Sequence, residues 1–568
     1  MPPASDAAAA AETRGVGTRL VRSKGDSEGT ANARRRAFLF SYPAFFFFFN
    51  APPRSRAPSG FTPDPDLEHV TDTNTSPPLL KPLKPLKPLN RREVHTVAIV
   101  PPPEDSPDAP AGVLTGSEDG FVLRAAVRGA GALAAFSDPA EVGAHVGGAA
   151  VRAIALVPDV PGGGLTLPPG PAEPDATSPP PPSYTLLTAG AKEVLQAWRV
   201  SWERAGFQPV ESSFNPAAAP RSAASGVRGW RLRTSLVAAR GSLAKPGHAE
   251  WQSGCGFVAA SVETDQRYMD VAGFAPVDGG GAIALAASSE GAVTAMALER
   301  GARDASREAS RADAFKSKFR SKSKSHRHRG GVWSWRAFAD LRFHDRPVLA
   351  VAVAGVRVAG GGVAVVAATG ATDGAIAIWD VTRATEERAR TKGSENFSDA
   401  ESSRNRPRFL APAHVTRGAH QSGVNGIAVR AVAGAAGRFV AASGGDDQVA
   451  RAEVFSVERE GRVVSVARVA VAFAHSSAIK GVWLGPGTEP GTLILATTSH
   501  DQRARVWTVT TQQTGKDATN GVAMTPAAGA FAECPEPEGL DGFVDARGRA
   551  RIAVCGRGVQ MFELEVAD

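Results

Sequence analysis

Cysteine is scarce in this chain. There are three in 568 residues, Cys255, Cys534 and Cys555, and none lies in a CxxC pair. That spacing supports neither a disulfide framework nor a zinc site, and it fits a reducing compartment. Long apolar runs are also missing. The most apolar N-terminal stretch, Ala37 to Phe49, has 13 residues and contains Pro43, whereas a spanning helix needs about 20. No membrane partner is therefore expected. Arg34, Arg35 and Arg36 precede this run as they would in a signal peptide, but it starts too late and "NAPPRSR" supplies no small-residue cleavage site. The Arg- and Ser-rich, acid-poor first 60 residues also have the composition of an organelle transit peptide. Helix-forming heptads are few, while Gly (60) and Pro (42) are plentiful, which favours many turns.

A pervasive charge is missing too. The formal net charge is +7, and one tract carries all of it. Lys316, Lys318, Arg320, Lys322, Lys324, Arg327 and Arg329 lie within 14 residues that contain no acid. The rest of the chain is formally neutral, unlike a dedicated nucleic-acid binder. His326 and His328 in this tract make a poor metal site, because the neighbouring cations oppose a metal ion. The tract reads as a flexible basic loop, with electrostatic contact to nucleic acid as its functional alternative.

What is present is repetition. Residues 1–91, with "FFFFF" and "KPLKPLKPL", are low in complexity and read as disordered. From residue 92 onward, short Val/Ala/Leu runs alternate with Gly-Asp or Gly-Glu turns, as many short strands would. Seven segments align on those turns. They begin at Leu114, Leu186, Leu285, Ala368, Ala441, Ala496 and Ala553. Each is a strand of small residues, a tight turn, then a strand with alternating apolar residues. Asp373 precedes Trp379, and Asp501 precedes Trp507, by six residues. His344, His420 and His475 stand upstream of Asp373, Asp447 and Asp501. The second copy has Lys192 where the aspartate is expected, and the last has Gly556.

This pattern resembles the WD repeat. The resemblance implies an all-β fold, a seven-bladed propeller over residues 92–568, with loop insertions at about 158–183 and 300–331. It also implies a buried chain of hydrogen bonds in each well-formed blade, made in the sixth copy by His475, Ser499, Asp501 and Trp507. A buried carboxylate needs donors, and an imidazole and a hydroxyl can supply them.

Catalytic constellations are not evident. "VRGAGALAAF" from Val127 has a GxG, but no acid follows at the spacing of a dinucleotide-binding unit. No paired carboxylates, nucleophile triad or P-loop stands out. The chain is read as a non-enzyme without a cofactor of its own.

Several phrases are similar to one family, that of WD repeat-containing protein 6, the large non-catalytic partner of an FtsJ-type tRNA methyltransferase. They are "LTGSEDG" at Leu114, "ETDQRYMDVA" at Glu263, "AATGATDGAIAIWDVT" at Ala367 and "AHQSGVNGIAV" at Ala419, then "ASGGDDQV" at Ala442, "FAHSSAIKGVWL" at Phe473 and "TTSHDQRARVW" at Thr497. Their order is the family's order. "RYMDVA" and "AHQSGVN" are the more specific, because a blade does not demand them. The resemblance implies a cytoplasmic scaffold that binds the methyltransferase and supports 2′-O-methylation of the tRNA wobble nucleotide. Contact with tRNA would be indirect or through the basic loop. Arg267, Tyr268, Gln421 and Arg503 are the candidates for a partner or tRNA surface; the alternatives are packing between blades for the Arg267–Tyr268 pair and Gln421, and a solvated face for Arg503. The family is about twice this length, with further propellers before the matched region, where this chain has low-complexity sequence. A scaffold in another assembly, such as a ubiquitin-ligase adaptor, is the alternative.

Overall fold

The computed structural model describes Lys81–Pro82 and, with internal gaps, residues 93–565; the longest gaps are 166–182, 205–229, 242–255, 301–332 and 393–406. The N-terminal tract other than Lys81–Pro82, the bulk of both long insertions, and the basic tract Lys316 to Arg329 lie outside the described residues.

Seven sheets, each built on a run of four antiparallel strands, form a seven-bladed β-propeller. Their innermost strands are Val94–Val100, Val151–Pro158, Tyr268–Phe274, Val348–Arg357, Val424–Ala431, Ile479–Pro486 and Gly539–Val544, opening blades 1 to 7. Residues from all seven line a central channel of about 740 Å³. Each aligned copy falls on the second strand of a blade and the turn that follows it.

Alternation on these second strands explains the ring. A strand with both faces buried can be apolar throughout, and successive side chains serve opposite neighbours. On Val363–Ala371, Val365 and Ala367 pack toward blade 3, while Ala364, Val366 and Ala368 pack toward blade 5. Seven apolar clusters result, one at each junction between adjacent blades, with blade 7 on blade 1 included. Small residues are needed where blades meet closely. A Cβ on Gly370 would lie 2.5 Å from Val424 Cγ1, and one on Gly444 would lie 2.3 Å from Ile479 Cγ2. In both cases the neighbour is the first residue of the next blade's inner strand.

Besides a parallel fifth strand on blade 2, Gly256–Ala259, two features depart from simple repetition. In blade 4 the third strand, Ile376–Asp380, leads to the helix α1 (Thr382–Lys392). Asp380 Oδ1 accepts the Thr382 N–H at 2.9 Å, which satisfies one of the helix's free donors. Arg388 of α1 reaches Glu299 of blade 3 at 3.2 Å. Arg408–Leu410 then adds a parallel strand to blade 3, and the chain returns with His414–Thr416 as the outer strand of blade 4. The second feature is the closure. Lys81–Pro82 pairs antiparallel with Gly558–Glu565, the last strand of blade 7. A piece of the "KPL" tract thus forms the outer edge of the final sheet.

The turn of blade 2 carries strain. Lys192 and Glu193 both have positive φ, 57° and 53°, the backbone of a type I′ hairpin turn, which Asn-Gly fits without a steric penalty. Replacing the pair by Lys192→Asn and Glu193→Gly is expected to stabilise the fold by about 1 kcal/mol. A rise in the thermal midpoint would report it, and an unchanged or lower midpoint would contradict it.

Candidate functional site

The well-formed blades hold the expected buried chain. In blade 6, Trp507 Nε1 donates to Thr497 Oγ1 at 3.1 Å, and Thr497 Oγ1 meets His475 Nε2 at 2.9 Å. His475 Nδ1 lies 3.1 Å from both oxygens of Asp501. With the imidazole neutral, every proton has one acceptor: indole to hydroxyl, hydroxyl to Nε2, and Nδ1–H to carboxylate. Burial pushes the His475 pKa down, outweighing the pull of Asp501, so the neutral form is the one favoured. Burial alone would raise the Asp501 pKa, but the Ser476 and Arg503 N–H groups and His475 hold it below its ordinary value. Blade 4 repeats the arrangement with Trp379, Thr369, His344 and Asp373 at 2.9–3.0 Å.

The hydroxyl differs from the one expected. Thr497, not Ser499, joins the blade 6 chain. Ser499 sits at the strand end, where its hydroxyl donates to the Ser477 carbonyl at 3.0 Å and accepts the Asp501 N–H at 3.2 Å. The participating hydroxyl precedes the aspartate by four residues in every case: Thr369 and Asp373, Ser443 and Asp447, Thr497 and Asp501.

Blades 5 and 2 hold incomplete versions. In blade 5, His420 meets Asp447 at 2.9 Å and Ser443 at 2.8 Å. Its tryptophan position is taken by Glu453, which is buried, paired with Arg451 at 3.0 Å, and bonded to Ser465 and Thr416. Blade 2 has Trp198, Thr188 and His145 at 3.1 and 2.9 Å, a set the sequence reading missed. Lys192 stands where the carboxylate would be. His145 Nδ1 consequently makes no hydrogen bond of good geometry, and burial drives the His145 pKa down to about 3, with the backbone of Ala150 and Ala149 offsetting only part of that cost.

Two further carboxyls face the channel. Asp270 accepts the Val351 N–H of the next blade at 2.8 Å, and Asp541 accepts the Ile99 N–H of blade 1 at 2.9 Å. Both are surrounded by protein although they touch the channel. Burial raises Asp270 to about 7 and Asp541 to about 6, against backbone N–H groups that pull each down. Each staples one inner strand to its neighbour. Among the described residues no group of three or more His, Cys, Asp or Glu is placed to hold a metal ion, and no helix is long and apolar enough to cross a membrane.

The surface candidates divide. Arg267, Gln421 and Arg503 are exposed. Tyr268 is not; it is 3% accessible and packs in the cluster between blades 2 and 3, because it opens an inner strand with its ring turned into the junction. The phrase "RYMDVA" therefore does have work in the blade, through Tyr268 and Asp270. So does "AHQSGVN", where Asn425 Nδ2 donates to Asp446 at 2.6 Å and to the Ile479 carbonyl at 3.0 Å. The basic-loop residues lie outside the described set.

A seven-bladed propeller with buried hydrogen-bond chains inside its blades is a fold consistent with an interaction scaffold. Among known proteins, no family model matches the chain, and no curated protein does.

Proposed function

We propose that this chain is the non-catalytic WD-repeat subunit of a cytoplasmic tRNA-modifying assembly. It binds an FtsJ-type methyltransferase and supports 2′-O-methylation of the wobble nucleotide. The observation that carries the reading is the succession of the seven phrases from Leu114 to Trp507, in the order of the WD repeat-containing protein 6 family, along a single propeller. The chemistry would belong to the partner, which would bind S-adenosylmethionine. The scaffold would contribute orientation, which alone can lower a barrier by several kcal/mol. The basic tract Lys316 to Arg329 would add a salt-sensitive contact with tRNA.

The test is co-purification of the full chain with the FtsJ-type enzyme of the same organism, followed by a wobble 2′-O-methylation assay. Stable association and a higher methylation rate are expected. A complex that forms without stimulating methylation would reduce the reading to that of a general scaffold. No association and no stimulation would refute it.

A further inference from the structure

The connections that enter blades 5 and 6 use the same backbone at one position. Two residues before the network histidine, Gly418 has φ 61° in the first connection and Phe473 has φ 54° in the second. Glycine adopts that conformation freely, whereas a bulky side chain there is a strained exception. The Phe473 ring meets no compensation from the fold, since it is 80% exposed. A turn that works with glycine in one blade holds a solvent-facing aromatic ring in the next.

The outer strand of blade 5 that leads into this connection, Val463–Val471, packs beside the outer strand of blade 6, Gly521–Phe531. Phe531, 56% exposed, ends the outer strand of blade 6 and pairs in register with Arg503. Arg503 is exposed, Arg505 is half-buried on the same strand face, and neither has a carboxylate within ion-pair distance among the described residues. Both lie close enough to His475 to act on it electrostatically. Asp501, two residues before Arg503, is turned inward to His475 and Ser476. Glu533, two residues beyond Phe531, is exposed but pairs with neither arginine. This end of blade 6 therefore presents two exposed rings, one exposed guanidinium (Arg503) and one half-buried (Arg505), with neither arginine in an ion pair among the described residues.

We propose that this end of blade 6 docks an acidic polypeptide segment of a partner protein, with an apolar side chain of that segment set against Phe473 and Phe531 and its carboxylates paired with Arg503 and Arg505. Aromatic and arginine residues are the usual anchors of protein interfaces. A nucleic acid would also stack on rings and pair with arginines. It fits less well, because outside Lys316 to Arg329 the chain carries no net positive charge to attract one. The inference does not depend on the partner being a methyltransferase.

The experiment uses the purified full chain and fluorescence anisotropy with four short labelled probes: a Glu/Asp peptide bearing Leu and Phe, the same peptide with Lys for each acid, an acidic peptide without apolar residues, and single-stranded RNA. The variants are Phe473→Gly, which copies Gly418, and Arg503→Glu. Only the acidic-apolar peptide is expected to bind well, and each variant should weaken it about tenfold or more. The thermal midpoint of Phe473→Gly should not fall, which separates lost docking from lost folding. Failure of that peptide to bind, equal binding by wild type and both variants, or preferential RNA binding lost in both variants would each overturn the proposal. The methylation assay is read separately, so failure here leaves that result standing.

Discussion

Trp507→Ala is expected to destabilise the propeller by about 3–5 kcal/mol, the range for removing a large buried aromatic side chain. The indole is 4% exposed and packs in the cluster between blades 5 and 6. Its loss also removes the donor to Thr497 at the head of the blade 6 chain. Two further variants separate packing from hydrogen bonding. Trp507→Phe keeps most of the apolar contact and should cost less than the alanine variant. His475→Ala keeps the ring of Trp507 but leaves the Asp501 carboxylate without its imidazole donor, a buried charge short of a partner. Urea denaturation would rank the three. If Trp507→Ala lowered stability by less than about 1 kcal/mol, the chain of bonds would not be holding the blade.

The second large effect is on pH. Asp270 has a folded pKa of about 7 against an ordinary 3.8. Because the folded value is the higher one, the folded protein keeps a proton that the unfolded chain has lost. The stability this supplies is complete below about pH 4 and is lost as pH rises through 7. The gap between the two values corresponds to about 4 kcal/mol, or about 1.4 kcal/mol per pH unit across the window. Asp541 acts in the same direction up to about pH 6. His145 opposes both. Its folded value of about 3 lies below the ordinary 6.5, so its contribution is present above 6.5 and is lost as pH falls toward 3. Partial cancellation makes the wild-type profile a poor readout by itself. Asp270→Asn isolates one carboxyl's contribution: from pH 4.5 to 7, the variant's stability should fall less steeply with rising pH than wild type, by about 1 kcal/mol per pH unit. Parallel profiles for the two proteins would mean that Asp270 is ionised throughout.

The repeat was legible because it rests on composition. All seven copies, aligned on small residues and alternation, fall on the second strands of seven blades and the turns after them, even where the aspartate is replaced, as at Lys192 and Gly556. The chain of buried bonds was legible where its aspartate survives. His145, Thr188 and Trp198 were not legible from the aspartate, because Lys192 stands in its place. The spacing from hydroxyl to tryptophan, ten residues at Thr188 and Trp198, Thr369 and Trp379, and Thr497 and Trp507, would have found the set and would also have chosen Thr497 over Ser499. Of the two readings open for Tyr268, the structure has the one in which it packs between blades. The sequence left both open because only strand register shows which way a ring at the start of an inner strand turns. The left-handed backbone of Phe473, and the lack of an ion pair at Arg503 among the described residues, are products of three-dimensional placement that no local pattern encodes.

The closure of the ring sets an order on its biosynthesis. Lys81–Pro82 leaves the ribosome ahead of every blade, and the strand it must join, Gly558–Glu565, is the last described strand to be made. Blade 1 can fold early, yet the flank holding Val97 and Ile99 must wait for Ala553 and Cys555. Throughout translation the growing protein is an open arc with an uncovered apolar flank at each end, the type of surface that chaperones engage and that aggregates when left exposed. A premature stop anywhere in blades 2 to 6 would leave such an arc permanently, so truncated messages should yield insoluble or degraded products rather than smaller working propellers.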